Sequence, residues 1–162
     1  YNDSELTCTA TANDLDNVDT LQYTYEWSTG ETTETITIDG SLNPTESVTC
    51  TATVTDGTDS VSDTTSIAIE NRDPVLSNLL FVGDVYPNET LICSVDSSDP
   101  DGEATNPEYT WILPDGTTES GNSLTLGILQ DGDEIICTVT ITDSYTGTAT
   151  LSETVTFEKH LL

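Results

Sequence analysis

The chain has 162 residues, of which 30 are acidic and only Arg72 and Lys159 are basic, so its formal net charge is −28. With no cationic footprint, nucleic acid and anionic membrane surfaces are excluded as partners. No apolar run reaches the length of a membrane span, so direct membrane insertion is not expected.

In chain order, a period-two alternation starts almost at once. Leu6, Cys8, Ala10 and Ala12 share one face, with threonine between them, which predicts a strand near 5–12. Further strands are expected near 22–29, 33–38, 47–55 and 60–70, and Val48, Cys50, Ala52 and Val54 share a face in the fourth. A polar stretch at 70–74 follows. Strands are then expected near 75–82, 90–96, 108–113, 123–128, 134–142 and 148–158, with Ile135, Cys137, Val139 and Ile141 repeating the alternation. Asp39-Gly40, Asp56-Gly57, Pro114-Asp115-Gly116 and Asp131-Gly132 are turn dipeptides and tripeptides between them. No stretch has a 3.6 period, so the fold class is all-β with antiparallel strands that bury one face.

The chain also repeats itself. Tyr1 to Trp27 reads Y-x4-L-x-C-x5-D-x-D-N-x7-Y-x-W, and Tyr86 to Trp111 reads Y-x4-L-x-C-x5-D-x-D-G-x6-Y-x-W, at an offset of 85 up to the second aspartate. A second cysteine follows in each copy, Cys50 and Cys137. A repeat of this kind makes two modules, 1–70 and 71–158, with a short tail at 159–162. Modules this small have marginal cores, and a cystine in each would help. Four cysteines allow three pairings, and the repeat favours pairing within each copy. Zinc does not suit them, because there is no C-x2-C and the single histidine is His160. Disulfides imply an oxidising setting, extracellular or at a cell surface. Because the chain opens on Tyr1, it is read as a mature product or as a piece of a longer protein.

A cysteine on an early strand, a tryptophan 18 or 19 residues later and a second cysteine 23 to 26 residues beyond resembles the immunoglobulin sandwich. The resemblance covers essentially the whole chain. It implies disulfides Cys8–Cys50 against Trp27 and Cys93–Cys137 against Trp111. Antibody-like domains have a tyrosine two residues before the second cysteine, where Val48 and Ile135 stand here. This departure makes the chain more similar to the bacterial or archaeal Ig-like, PKD-like or cadherin-like extracellular repeats. The implied fold is two tandem immunoglobulin-like β-sandwiches, the first lacking its N-terminal strand within this chain. The apolar run Pro74–Val82 ahead of Tyr86 has no counterpart ahead of Tyr1. Upstream chain is the favoured source of that strand and a neighbouring subunit the alternative.

Two acidic loops are equivalent in the repeat: Asp14-x-Asp16-Asn17-x-Asp19 and Asp96-x2-Asp99-x-Asp101-Gly102-Glu103. Closely spaced carboxylates beside a turn residue suit a hard cation, and calcium takes about six to eight oxygens. The spacing is not that of an EF-hand. The immunoglobulin topology would gather Asp99, Asp101 and Asp143 at one end, near a linker that includes Asp73. Asp56 is the counterpart of Asp143 beside Asp14, Asp16 and Asp19. These eight aspartates are the expected ligands and calcium the expected cofactor. The competing account is a salt-adapted acidic surface, with Arg72 neutralising the second cluster.

Catalysis has no support, since no serine–histidine–aspartate or cysteine–histidine set exists. Asn2 and Asn88 open N-glycosylation sequons at matching places, which makes them candidate glycan attachment sites. The sequence thus reads as a non-enzymatic structural module of an extracellular filament, stalk or giant surface adhesin. Its expected partners are neighbouring Ig-like repeats or copies of itself in a fibre. The rival readings are a ligand-binding adhesion module for glycan or protein and an accessory domain of a secreted hydrolase.

Overall fold

Twelve β-strands and no helix make up the regular structure in the computed structural model, which describes residues 1–15 and 20–159. The chain divides into two units, Tyr1–Asn71 and Arg72–Leu162.

In the first unit the strands are β1 (Glu5–Thr7), β2 (Gln22–Trp27), β3 (Thr35–Thr37), β4 (Ser47–Thr55) and β5 (Ser60–Ala68). They form a two-stranded sheet, β1-β3, and a three-stranded sheet, β2-β4-β5, all pairs antiparallel. The second unit has β6 (Val75–Val82), β7 (Thr90–Ser98), β8 (Glu108–Ile112), β9 (Thr118–Ser120), β10 (Ser123–Thr125), β11 (Glu134–Thr142) and β12 (Thr148–Thr156). Its sheets run β10-β7-β6 and β12-β11-β8-β9, again antiparallel. Each unit is an immunoglobulin-like β-sandwich.

The alternation read from the sequence sets which face is buried. In β11, Ile135, Cys137, Val139 and Ile141 are all buried, as are Val48 and Cys50 in β4. The disulfides are Cys8–Cys50 and Cys93–Cys137, each closing the two sheets of its own unit over a sequence separation of 42 or 44. The loop entropy removed from the unfolded chain is worth about 4 kcal/mol for each. Trp27 lies opposite Cys50 and Trp111 opposite Cys137 in the strand register, and both tryptophans are buried in the cystine cores. Burying an indole requires a partner for its N–H. Trp27 Nε1 donates to the Thr33 carbonyl and Trp111 Nε1 to the Gly121 carbonyl, both at 2.8 Å.

Outward positions are paired by hydroxyls across strands. Thr51 meets Thr64 and Thr53 meets Ser62, each at 2.8 Å. Thr138 meets Ser152 at 2.9 Å and Thr140 meets Thr150 at 3.2 Å. Such cross-strand pairs contribute about 0.2–1 kcal/mol each.

Two elements differ from the sequence reading. The first strand, expected over 5–12, is confined to Glu5–Thr7, because among the described residues only β3 pairs with it. β9 was not expected. It is a short, fully exposed strand that folds back on β8 across the Pro114-Asp115-Gly116 turn.

The second unit contains a strand that has no equivalent among the described residues of the first. β6 pairs with β7, shifts register between Ser77 and Leu80, and lies beside β12. Leu76, Leu79 and Phe81 cover the core, and the Phe81 ring centroid is 5.9 Å from that of Trp111. The chain turns from β6 into β7 at Gly83. Its φ is +119°, and a Cβ there would sit 2.6 Å from the Thr90 carbonyl oxygen, so only glycine allows this approach.

Candidate metal centre

The β7–β8 and β11–β12 loops of the second unit bring together Asp99, Glu103 and Asp143. One carboxylate oxygen from each lies within 4.8 Å of the other two. Local backbone bonds aim two of these groups. Asp99 Oδ1 accepts from the Asp101 N–H at 2.7 Å. Asp143 Oδ1 accepts from the N–H groups of Tyr145 at 2.7 Å and Gly147 at 2.8 Å.

Asp99 Oδ2 and Glu103 Oε2 are shut away from solvent without a hydrogen-bond partner. A carboxylate oxygen in that position is costly unless a cation or a proton meets it. The Glu103 carboxyl is pushed above its usual range, first by burial and then by the charges of Asp99, Asp143 and Asp101, with a Ser144 hydrogen bond acting the other way. Three half-buried carboxylates, of which Asp99 and Glu103 each have an unsatisfied hard oxygen, fit a divalent cation such as calcium.

Asp101 has a different role. Its side chain is fully buried and forms an ion pair with Arg72 at 2.8 Å. The Arg72 backbone N–H donates to Asp101 Oδ2 at 2.6 Å, and Nε donates to Oδ1 at 2.9 Å. Arg72 Nη2 also donates to the Pro100 carbonyl at 2.8 Å. Arg72 therefore fastens the start of the second unit to the β7–β8 loop. Of the ligands expected there, Asp99 and Asp143 come together, Asp101 is held by Arg72, and Asp73 is exposed outside the group. Glu103 joins the group although the sequence-derived ligand set omits it. It stands two residues beyond Asp101 in the same acidic motif, and that proximity was the available signal.

In the first unit, Asp14 and Asp56 line one cleft of about 340 Å³ with Leu21 and Val54. Asp56 Oδ1 accepts from the N–H groups of Thr58 and Asp59, both at 2.7 Å, a turn comparable to that of Asp143. Asp16 and Asp19 lie outside the described residues. Of the two sequon asparagines, Asn88 is exposed, whereas Asn2 is buried at 5% exposure.

No protein-family model matches this chain, and no curated protein matches it. The solved structure of the amphioxus IgVJ-C2 molecule is similar over 96% of this chain and 96% of that chain, with 17% identity and a TM-score of 0.44. Two disulfides in an immunoglobulin-like fold suggest a secreted or surface protein and fit a structural or adhesion module. No helix among the described residues is long and apolar enough to cross a membrane.

Proposed function

We propose that this chain is a non-enzymatic structural segment of an extracellular filament, stalk or surface adhesin, and that calcium stiffens its second unit. The pair of buried, unpartnered oxygens on Asp99 and Glu103 carries the calcium reading. A bound cation would be held by Asp99, Glu103 and Asp143, and it would supply the positive counter-charge to these carboxylates. It would tie the β7–β8 loop to the β11–β12 loop, and so fix one end of the sandwich against bending. The mechanical reading rests on the build of the units, since each has its own cystine-closed core. Its partners in this reading are further repeats or copies of itself along a fibre.

Thermal unfolding tests the calcium reading. At moderate ionic strength, excess calcium is expected to raise the melting temperature of the second unit relative to EGTA. Stabilisation reaches about 2.7 kcal/mol at a hundredfold excess over Kd. Equal melting in calcium and EGTA would leave surface charge alone as the account of the acidic loops.

A further inference from the structure

The first unit has a groove where the second has a strand. Along β7, β10 pairs with Thr90–Ile92 and β6 with positions from Ile92 to Ser98. In the first unit β3 pairs with Glu5–Thr7, the same three positions at the repeat offset. The backbone beyond them has no strand neighbour among the described residues. Here the Cys8 N–H donates to the Glu34 carbonyl and the Ala12 N–H to Tyr23 Oη.

Across from this backbone, β5 is exposed at all nine residues, with Val61 at 63% and Ile67 at 52%. Two adjoining cavities lie between the segment 6–11 and β5, both lined by the Cys8–Cys50 disulfide. One, of about 290 Å³, is lined by Leu6, Trp27, Val48 and Ile67. The other, of about 270 Å³, is lined by Ala10, Ala52, Asp63 and Thr65. In the second unit Leu76, Leu79 and Phe81 of β6 cover the corresponding core.

We propose that this groove receives an added β-strand, uncharged and apolar like Val75–Val82, running antiparallel to Thr7–Asn13. The source to which the geometry points is the chain ahead of Tyr1. β6 reaches its own unit directly ahead of Tyr86, the repeat counterpart of Tyr1. A second copy could lend its β6 only by opening the same groove in itself. Charge narrows the chemistry further. Asp63 stands opposite Ala52, the place that Leu151 takes opposite Val139, so an acidic strand would meet a like charge there. The backbone of Thr7–Asn13 supplies the hydrogen bonds and the cavities take alternate side chains, as in strand addition generally.

The test compares three proteins by residue-resolved hydrogen exchange in EGTA: the full 162-residue chain, the chain with a copy of Pro74–Val85 fused ahead of Tyr1, and the fused chain with Phe81→Asp in the added copy. Fusion is expected to slow exchange over Thr9–Asn13 and Ser60–Ala68 by about tenfold or more, while Phe81→Asp in the copy restores the original rates. The second unit should not change. The proposal fails if the unfused chain already protects Thr9–Asn13 as strongly as Ser94–Ser98, or if fusion brings no gain. Protection in the unfused chain that grows with protein concentration, with a dimer in sedimentation, would overturn the proposed source in favour of a second copy. EGTA removes calcium from every arm, so the outcome is independent of the calcium reading.

Discussion

β5 and β12 hold the same place in their units, each the outer partner of a central strand, yet they are buried differently. In the register, Ile67 of β5 faces Val48 and Val155 of β12 faces Ile135. Ile67 is 52% exposed, whereas Val155 is partly buried against its core. Both are β-branched; Ile67 lines a cavity with the Cys8–Cys50 cystine and Trp27, and Val155 packs against the core that contains Cys93, Cys137 and Trp111. Their own chemistry does not separate them; the neighbour does, because β6 lies beside β12 and no strand among the described residues takes that place beside β5. Burial at the edge of a sandwich is thus set by the covering strand more than by the edge strand's residues.

The largest expected effect makes the second unit like the first. Phe81→Ala removes the ring that covers Trp111. It should cost about 2–3 kcal/mol, below the fully buried range because Phe81 is only half-buried. Urea unfolding of the second unit measures the loss, and exchange along β12 should rise toward that of β5. A loss under about 0.5 kcal/mol would mean that β6 is an ornament on a core that closes without it.

A smaller effect tests the edge strands themselves. Val155→Ala is expected to cost about 1–2 kcal/mol, while Ile67→Ala should cost about 0.5 kcal/mol. Equal costs would show that Ile67 is covered in solution. With the added strand fused ahead of Tyr1, the Ile67→Ala cost should rise to that of Val155→Ala.

The smallest effect concerns pH. The Glu103 carboxyl is raised by burial and by Asp99, Asp143 and Asp101. The folded second unit therefore holds that proton more tightly than the unfolded chain does. Without calcium, this contribution is present at low pH and is lost as pH rises through the raised value. Glu103→Gln should remove the loss, so the metal-free variant melts higher than the parent at neutral pH and gains less from calcium. Asp39, Asp56 and Asp115 act with the opposite sign. Hydrogen bonds from Ser41, from Asp59 and Thr58, and from Thr117 lower them, so their contribution fades as pH falls. A melting temperature of Glu103→Gln that follows the parent across pH would remove Glu103 from the cluster.

The sequence carried the features that depend on repetition and alternation. Two copies of one cysteine, aspartate and tryptophan pattern were enough to read two sandwiches, and the resemblance supplied both disulfides. What it did not show depends on pairing partners. Ala10 and Ala12 continue the alternation of β1, but an alternating run becomes a strand only where another backbone meets it. β9, Thr118-Glu119-Ser120, has no apolar face to read and exists because a tight turn returns it to β8. At the metal centre, the carboxylates were evident but their division was not. A single guanidinium took Asp101, and Glu103, the last residue of the acidic motif, entered although only the aspartates were expected as ligands.

The outward threonine pairs matter for a chain this acidic. Hydroxyl meeting hydroxyl makes a polar surface with no net charge, and β4 carries no charged residue at all. Dissolved ions therefore have little to act on along β4 and more to act on in the acidic loops. Changes in salinity should be registered more at the tips of each sandwich than along its threonine-paired strands.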